Sequence, residues 1–77
     1  MNKFIAAVIQ MDSQDNVKEN LCQATGFIEE AASRGAKLIA MPESMNYCGK
    51  DNSGNAEIIP GGPTFCLMSE LAQKYNV

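Results

Sequence analysis

A chain of 77 residues forms one small domain at most, and burial at this size reaches only about 60% of the unfolded surface. Its 45% apolar content excludes disorder by composition. A net charge of −3, with no basic stripe and no aromatic-basic interleaving, argues against nucleic acid as a partner.

The chain opens with Met1-Asn2-Lys3 and then a short apolar run from Phe4 to Met11. That run is below membrane-span length and no small-residue cleavage site follows it. It reads as a strand buried on both faces, in a cytoplasmic protein without a signal peptide or membrane partner. The polar break Asp12 to Asn16 follows, where Ser13, Asp15 or Asn16 can cap a helix. Val17, Leu21, Ala24, Ile28, Ala31 and Ala32 keep helical spacing, so a helix is predicted from about Asn16 to Arg34. Gly35 supplies its left-handed terminus, and Glu30 and Arg34 lie one turn apart.

Lys37 to Met41 reads as a second strand, making a βαβ unit with a right-handed crossover. Pro42 ends the strand because it has no N–H to give to a ladder. Ser44 to Gly62 is a long irregular loop, and such loops are often functional. Pro63 suits the first turn of a second helix that runs to about Tyr75, where Asn76 terminates it. Val77 reads as the start of a third strand. Both helices fall on one face of the sheet, and the other face is left bare and apolar. The isolated chain is therefore expected to be oligomeric or prone to aggregate.

The residue that stands out is Glu43. It follows a strand and a proline, at the carboxyl edge where α/β sheets bind ligands. A carboxylate held there is a candidate general base.

These residues together resemble the start of a nitrilase-superfamily, or carbon–nitrogen hydrolase, protein. The resemblance rests on Gln10-Met11, Asn20, Gly35-Ala36, Pro42-Glu43, Ile59-Pro60-Gly61-Gly62 and Leu71 to Tyr75, in that order, and covers essentially the whole chain. It implies the βαβα N-terminal portion of an αββα sandwich, with residues 1–77 forming one segment of a single hydrolase domain. The implied reaction is hydrolysis of a small-molecule amide or nitrile by a Glu, a Lys and a Cys, with no organic cofactor and no metal. Glu43 matches the family's Glu. The Lys and Cys fall on strands and turns beyond these residues, so this chain alone is expected to be inactive. Met45, Asn46 and Tyr47 are expected by the same resemblance to wall the substrate pocket, local loop packing being the alternative. Homo-oligomers are common in the family and are expected here.

The remaining reactive groups read as structural. Cys22, Cys48 and Cys66 lack metal-ligand spacing and form no disulfide framework, and the chain has no histidine for Cys-His or Ser-His-Asp catalysis. Cys48 is not at the family's nucleophile position. Cys22 and Cys66, on predicted helices, read as small packing residues. Lys37 and Lys50 read as solvated, and neither matches the family's lysine. Gly61-Gly62-Pro63 lacks the spacing of a phosphate loop and reads as backbone punctuation. Two other functional classes compete: a non-enzymatic nitrilase-like remnant or interaction module, and an unrelated nucleotide-binding fragment. The second is disfavoured because Gln10-Met11-Asp12-Ser13, not a glycine-rich turn, follows the first strand.

Overall fold

The computed structural model describes residues 3–77; the leader reading at Met1 and Asn2 lies outside the described residues. Four elements follow in order: β1 (Ile5–Val8), α1 (Val17–Ser33), β2 (Ala36–Ala40) and α2 (Pro63–Tyr75). The two strands pair in parallel, which the α1 crossover makes possible. Ala6 faces Leu38, Ala7 faces Ile39 and Val8 faces Ala40, with a register shift between Ile5 and Ala6. The Ile9 N–H continues the ladder to the Ala40 carbonyl at 3.0 Å.

Local chemistry sets the helix ends. The Asn16 side chain accepts the Glu19 N–H at 3.0 Å and caps α1. The other end closes through Arg34, and Gly35 takes a φ of 92°, which a residue with a Cβ adopts only under strain. Glu30 and Arg34 pair at 3.4 Å on the solvent side, where such a pair contributes little. Pro63 occupies the first turn of α2, and left-handed Asn76 ends it. Val77 is not in a strand; its N–H closes the helix on the Ala72 carbonyl at 3.0 Å.

Ile9, Ile28 and Leu71 form the core, packed against Ile39, Met41, Met68 and Tyr75. The first helix packs on β2, and the second packs on the first. A strand alternates its side chains, so a single covered face buries only every second residue. Expected burial of β1 on both faces is therefore not met within these residues: Val8 is 87% exposed, and Leu38 on β2 is 58% exposed. Ala6, Val8, Leu38 and Ala40 line the uncovered face. Among the described residues no helix is long and apolar enough to cross a membrane.

Candidate active site

The loops leaving the carboxyl ends of β1 and β2 are tied together, and this tie builds the site. Asn20 lies on the apolar stripe of α1, aligned with Ala24, Ile28 and Ala31, and is only 1% exposed. A buried amide needs partners. Its Oδ1 accepts the Gln14 N–H at 3.0 Å. Its Nδ2 donates to the Gln14 carbonyl at 2.7 Å and to the Asn46 carbonyl at 3.0 Å. Ser13 Oγ donates to the Met45 carbonyl at 3.0 Å, and the Cys48 N–H donates to the Gln14 carbonyl at 3.0 Å.

Glu43 sits in the turn that starts this second loop, directly after Pro42. Ser44 then takes a left-handed φ of 56°, a sharp reversal for a residue with a Cβ. The Glu43 side chain is exposed at the start of this turn.

Beside this turn is a cavity of about 410 Å³. Ser44, Met45 and Asn46 line it together with Glu57, Thr64 and Met68. Tyr47 does not line it: its hydroxyl accepts the Asp51 N–H at 2.9 Å, farther along the loop. A larger cavity of about 620 Å³, bounded by Val17 and the segment from Gly54 to Pro63, does not include Ser44 or Asn46.

Glu57 ties several of these lining residues together. Its Oε1 accepts the Thr64 N–H at 2.7 Å. Its Oε2 accepts the Thr64 hydroxyl at 2.7 Å and the Asn46 Nδ2 at 3.2 Å. Burial pushes the Glu57 pKa up, but the hydrogen bonds from the Thr64 backbone, the Thr64 hydroxyl and Asn46 outweigh it, leaving the carboxyl below its ordinary 4.5. Glu57 also replaces a missing cap. The N-cap of α2 is Gly62, which has no side chain to offer. A Cβ there would lie 2.7 Å from the Ile58 carbonyl and 2.9 Å from Glu57 Cβ. The carboxylate therefore serves one first-turn N–H of α2, that of Thr64, from outside the helix.

Asn20 belongs to the family pattern read in the sequence, but its role as a tie does not show there, and Glu57 stands out by no motif. The signal for Asn20 is its place on an apolar helical stripe. Glu57 gives only the weaker signal of a carboxylate shortly before an uncapped, proline-started helix.

The cysteines differ from expectation. All three are exposed thiols, including Cys22 and Cys66, which do not pack in the core. Cys22 is two residues beyond the Asn20 stripe and so faces away from it. Cys66 likewise lies off the line of Leu71 on α2; its thiol reaches the Gly61 carbonyl at 3.4 Å. Lys37 and Lys50 are exposed. Among the described residues no group of three or more His, Cys, Asp or Glu side chains could hold a metal ion.

The chain is similar along its whole length to several curated proteins. It is 40% identical over 83 residues to a citrullinase of Francisella tularensis, covering 100% of this chain and 29% of that protein. It is 38% identical over 79 residues to the omega-amidase NIT2 of Homo sapiens, covering 100% of this chain and 28% of that protein. A deaminated glutathione amidase of Synechocystis is 37% identical over 78 residues, with 100% of this chain and 29% of that protein covered. The chain thus spans less than a third of the length of these curated relatives. Glu43 does not itself line the cavity but directly precedes Ser44, which does, and with a match to the carbon-nitrogen hydrolase family over residues 5–77 the chain belongs to that family.

Proposed function

We infer that this chain is the N-terminal part of a single amidase-type hydrolase domain and that Glu43 is its general base. The observation that carries the reading is the position of Glu43: it leaves the carboxyl end of β2 through Pro42 and starts the turn that walls the 410 Å³ cavity. Relatives named as amidases favour a small-molecule amide over a nitrile as substrate.

In this reading the Lys and Cys come from parts of the fold outside these residues. Glu43 takes the proton of the cysteine thiol, and the thiolate attacks the amide carbon. The lysine stabilises the negative charge that develops on the oxygen. The proton goes to the departing ammonia or amine, leaving a thioester. Glu43 then takes a proton from water, which hydrolyses that thioester and frees the thiol. The bare face at Val8 and Leu38 fits a second layer of the same domain, completing an αββα sandwich.

The test uses the native product that contains these residues, whatever its length, assayed for ammonia release from small-molecule amides. Glu43→Gln should lower kcat by about 10²- to 10⁴-fold with the fold retained. Turnover retained in that variant would remove Glu43 from the mechanism. The 77-residue chain alone should give no turnover.

A further inference from the structure

Asn46 is gripped at both ends. Its carbonyl is held by Asn20 at 3.0 Å, and its side-chain amide by Glu57 at 3.2 Å. It lies three residues beyond Glu43, and Ser44 in its left-handed turn stands between them. Glu57 is itself fixed by two bonds of 2.7 Å to Thr64, at the first turn of α2. A continuous chain of contacts therefore runs from a helix terminus, through one carboxylate and one amide, to the turn that carries Glu43.

We propose that Glu57 is a positioning residue for the reaction: it locks the turn after Glu43 to the N-terminus of α2 and so fixes where the Glu43 carboxylate points. This rests on the reading of Glu43 as the base. The physical need is plain. An exposed carboxylate on an irregular loop samples many positions, whereas proton transfer requires hydrogen-bond reach, and a displacement of about 1 Å can lower a rate about 10²-fold. The turn has no regular secondary structure to hold it, so side-chain bonds must do so. Only a carboxylate can accept from the Thr64 N–H, the Thr64 hydroxyl and the Asn46 amide together; glutamine at 57 keeps one oxygen and turns a donor toward the others.

The test is a double-mutant cycle in the native product that contains these residues, comparing Glu57→Gln, Glu43→Gln and the double variant. Glu57→Gln should lower kcat about ten- to a hundred-fold, with KM within about threefold of the parent. In the Glu43→Gln background the same change should cost less than about twofold, because a positioning residue has nothing left to position. Thr64→Val removes one bond to Glu57 at nearly constant volume, and should lower kcat severalfold in the same pattern. It decides the matter if Glu57→Gln does not fold. Folded Glu57→Gln or Thr64→Val protein with parental kcat would overturn the proposal. So would losses that multiply with Glu43→Gln, which would mean that Glu57 acts independently. Full turnover in Glu43→Gln would instead overturn the underlying assignment of the base.

Discussion

The side-chain amide of Asn20 donates to the main-chain carbonyl of Asn46 at 3.0 Å, joining positions 26 residues apart. The same amide satisfies both the N–H and the carbonyl of Gln14. Asn20→Asp keeps the shape and removes both donors, which sets a buried carboxylate against two carbonyl oxygens. The expected loss is about 3 kcal/mol of unfolding free energy, measured by denaturant titration. A loss under about 1 kcal/mol would mean that the two loops are held by something else.

Gly26 lies in the interior of α1, and a Cβ built there meets nothing within 4 Å. Gly26→Ala should therefore stabilise the fold by about 1 kcal/mol, through helix propensity and a less flexible unfolded chain. The gain should appear as a higher denaturation midpoint with unchanged slope. No gain would indicate that the exposed side of α1 is covered in the protein tested.

Glu57 gives stability a defined dependence on pH. Its folded-state pKa is lowered below 4.5, so its contribution is fully present above the ordinary carboxyl range. It is lost as pH falls through the lowered folded value, because the unfolded state then binds the proton more readily. The stability gap between parent and Glu57→Gln should be constant near neutrality and narrow progressively below pH 4.5. A gap that widens on acidification would reverse the sign and contradict the hydrogen-bond assignment.

The uncovered sheet face predicts behaviour in solution. The isolated 77-residue chain should sediment as species larger than its 8.3 kDa monomer. Val8 and Leu38 project from that face, so the double change Val8→Lys, Leu38→Lys should shift the chain toward monomer while leaving its far-UV circular dichroism intact. A compact monomer formed by the unchanged chain would rule out this face as the cause of association.

Much of this was legible in the sequence, for local reasons. Asn16 and Asn76 mark helix ends because capping is a property of one residue and its neighbours. Pro63 and Gly35 act in the same local way. Helical spacing found the face carrying Ala24 and Ile28. The contacts that span many residues were not legible: neither the Asn20–Asn46 tie nor the grip of Glu57 on Asn46 leaves a trace in spacing or composition. The exposure of Cys22 and Cys66 depends on which side of each helix packs inward, and a small side chain gives little sign of that. Met45 and Asn46 border the cavity while Tyr47 turns away, a division made by the loop's own path.

The ties across the carboxyl edge also set the tolerance of the site to change. Gln14 and Met45 contribute their main chains to it, not their side chains. Saturation mutagenesis should find position 14 permissive to most residues but closed to proline, whose missing N–H would leave Asn20 Oδ1 without its donor. Position 45 should accept most side chains that fit the cavity wall. Positions 20 and 57 should accept almost nothing, since each supplies a particular set of donors or acceptors that no other residue reproduces at that reach. In this segment, restriction by identity falls on two residues that perform no chemistry, while the partners that lend only main chain, Gln14 and Met45, are free to drift.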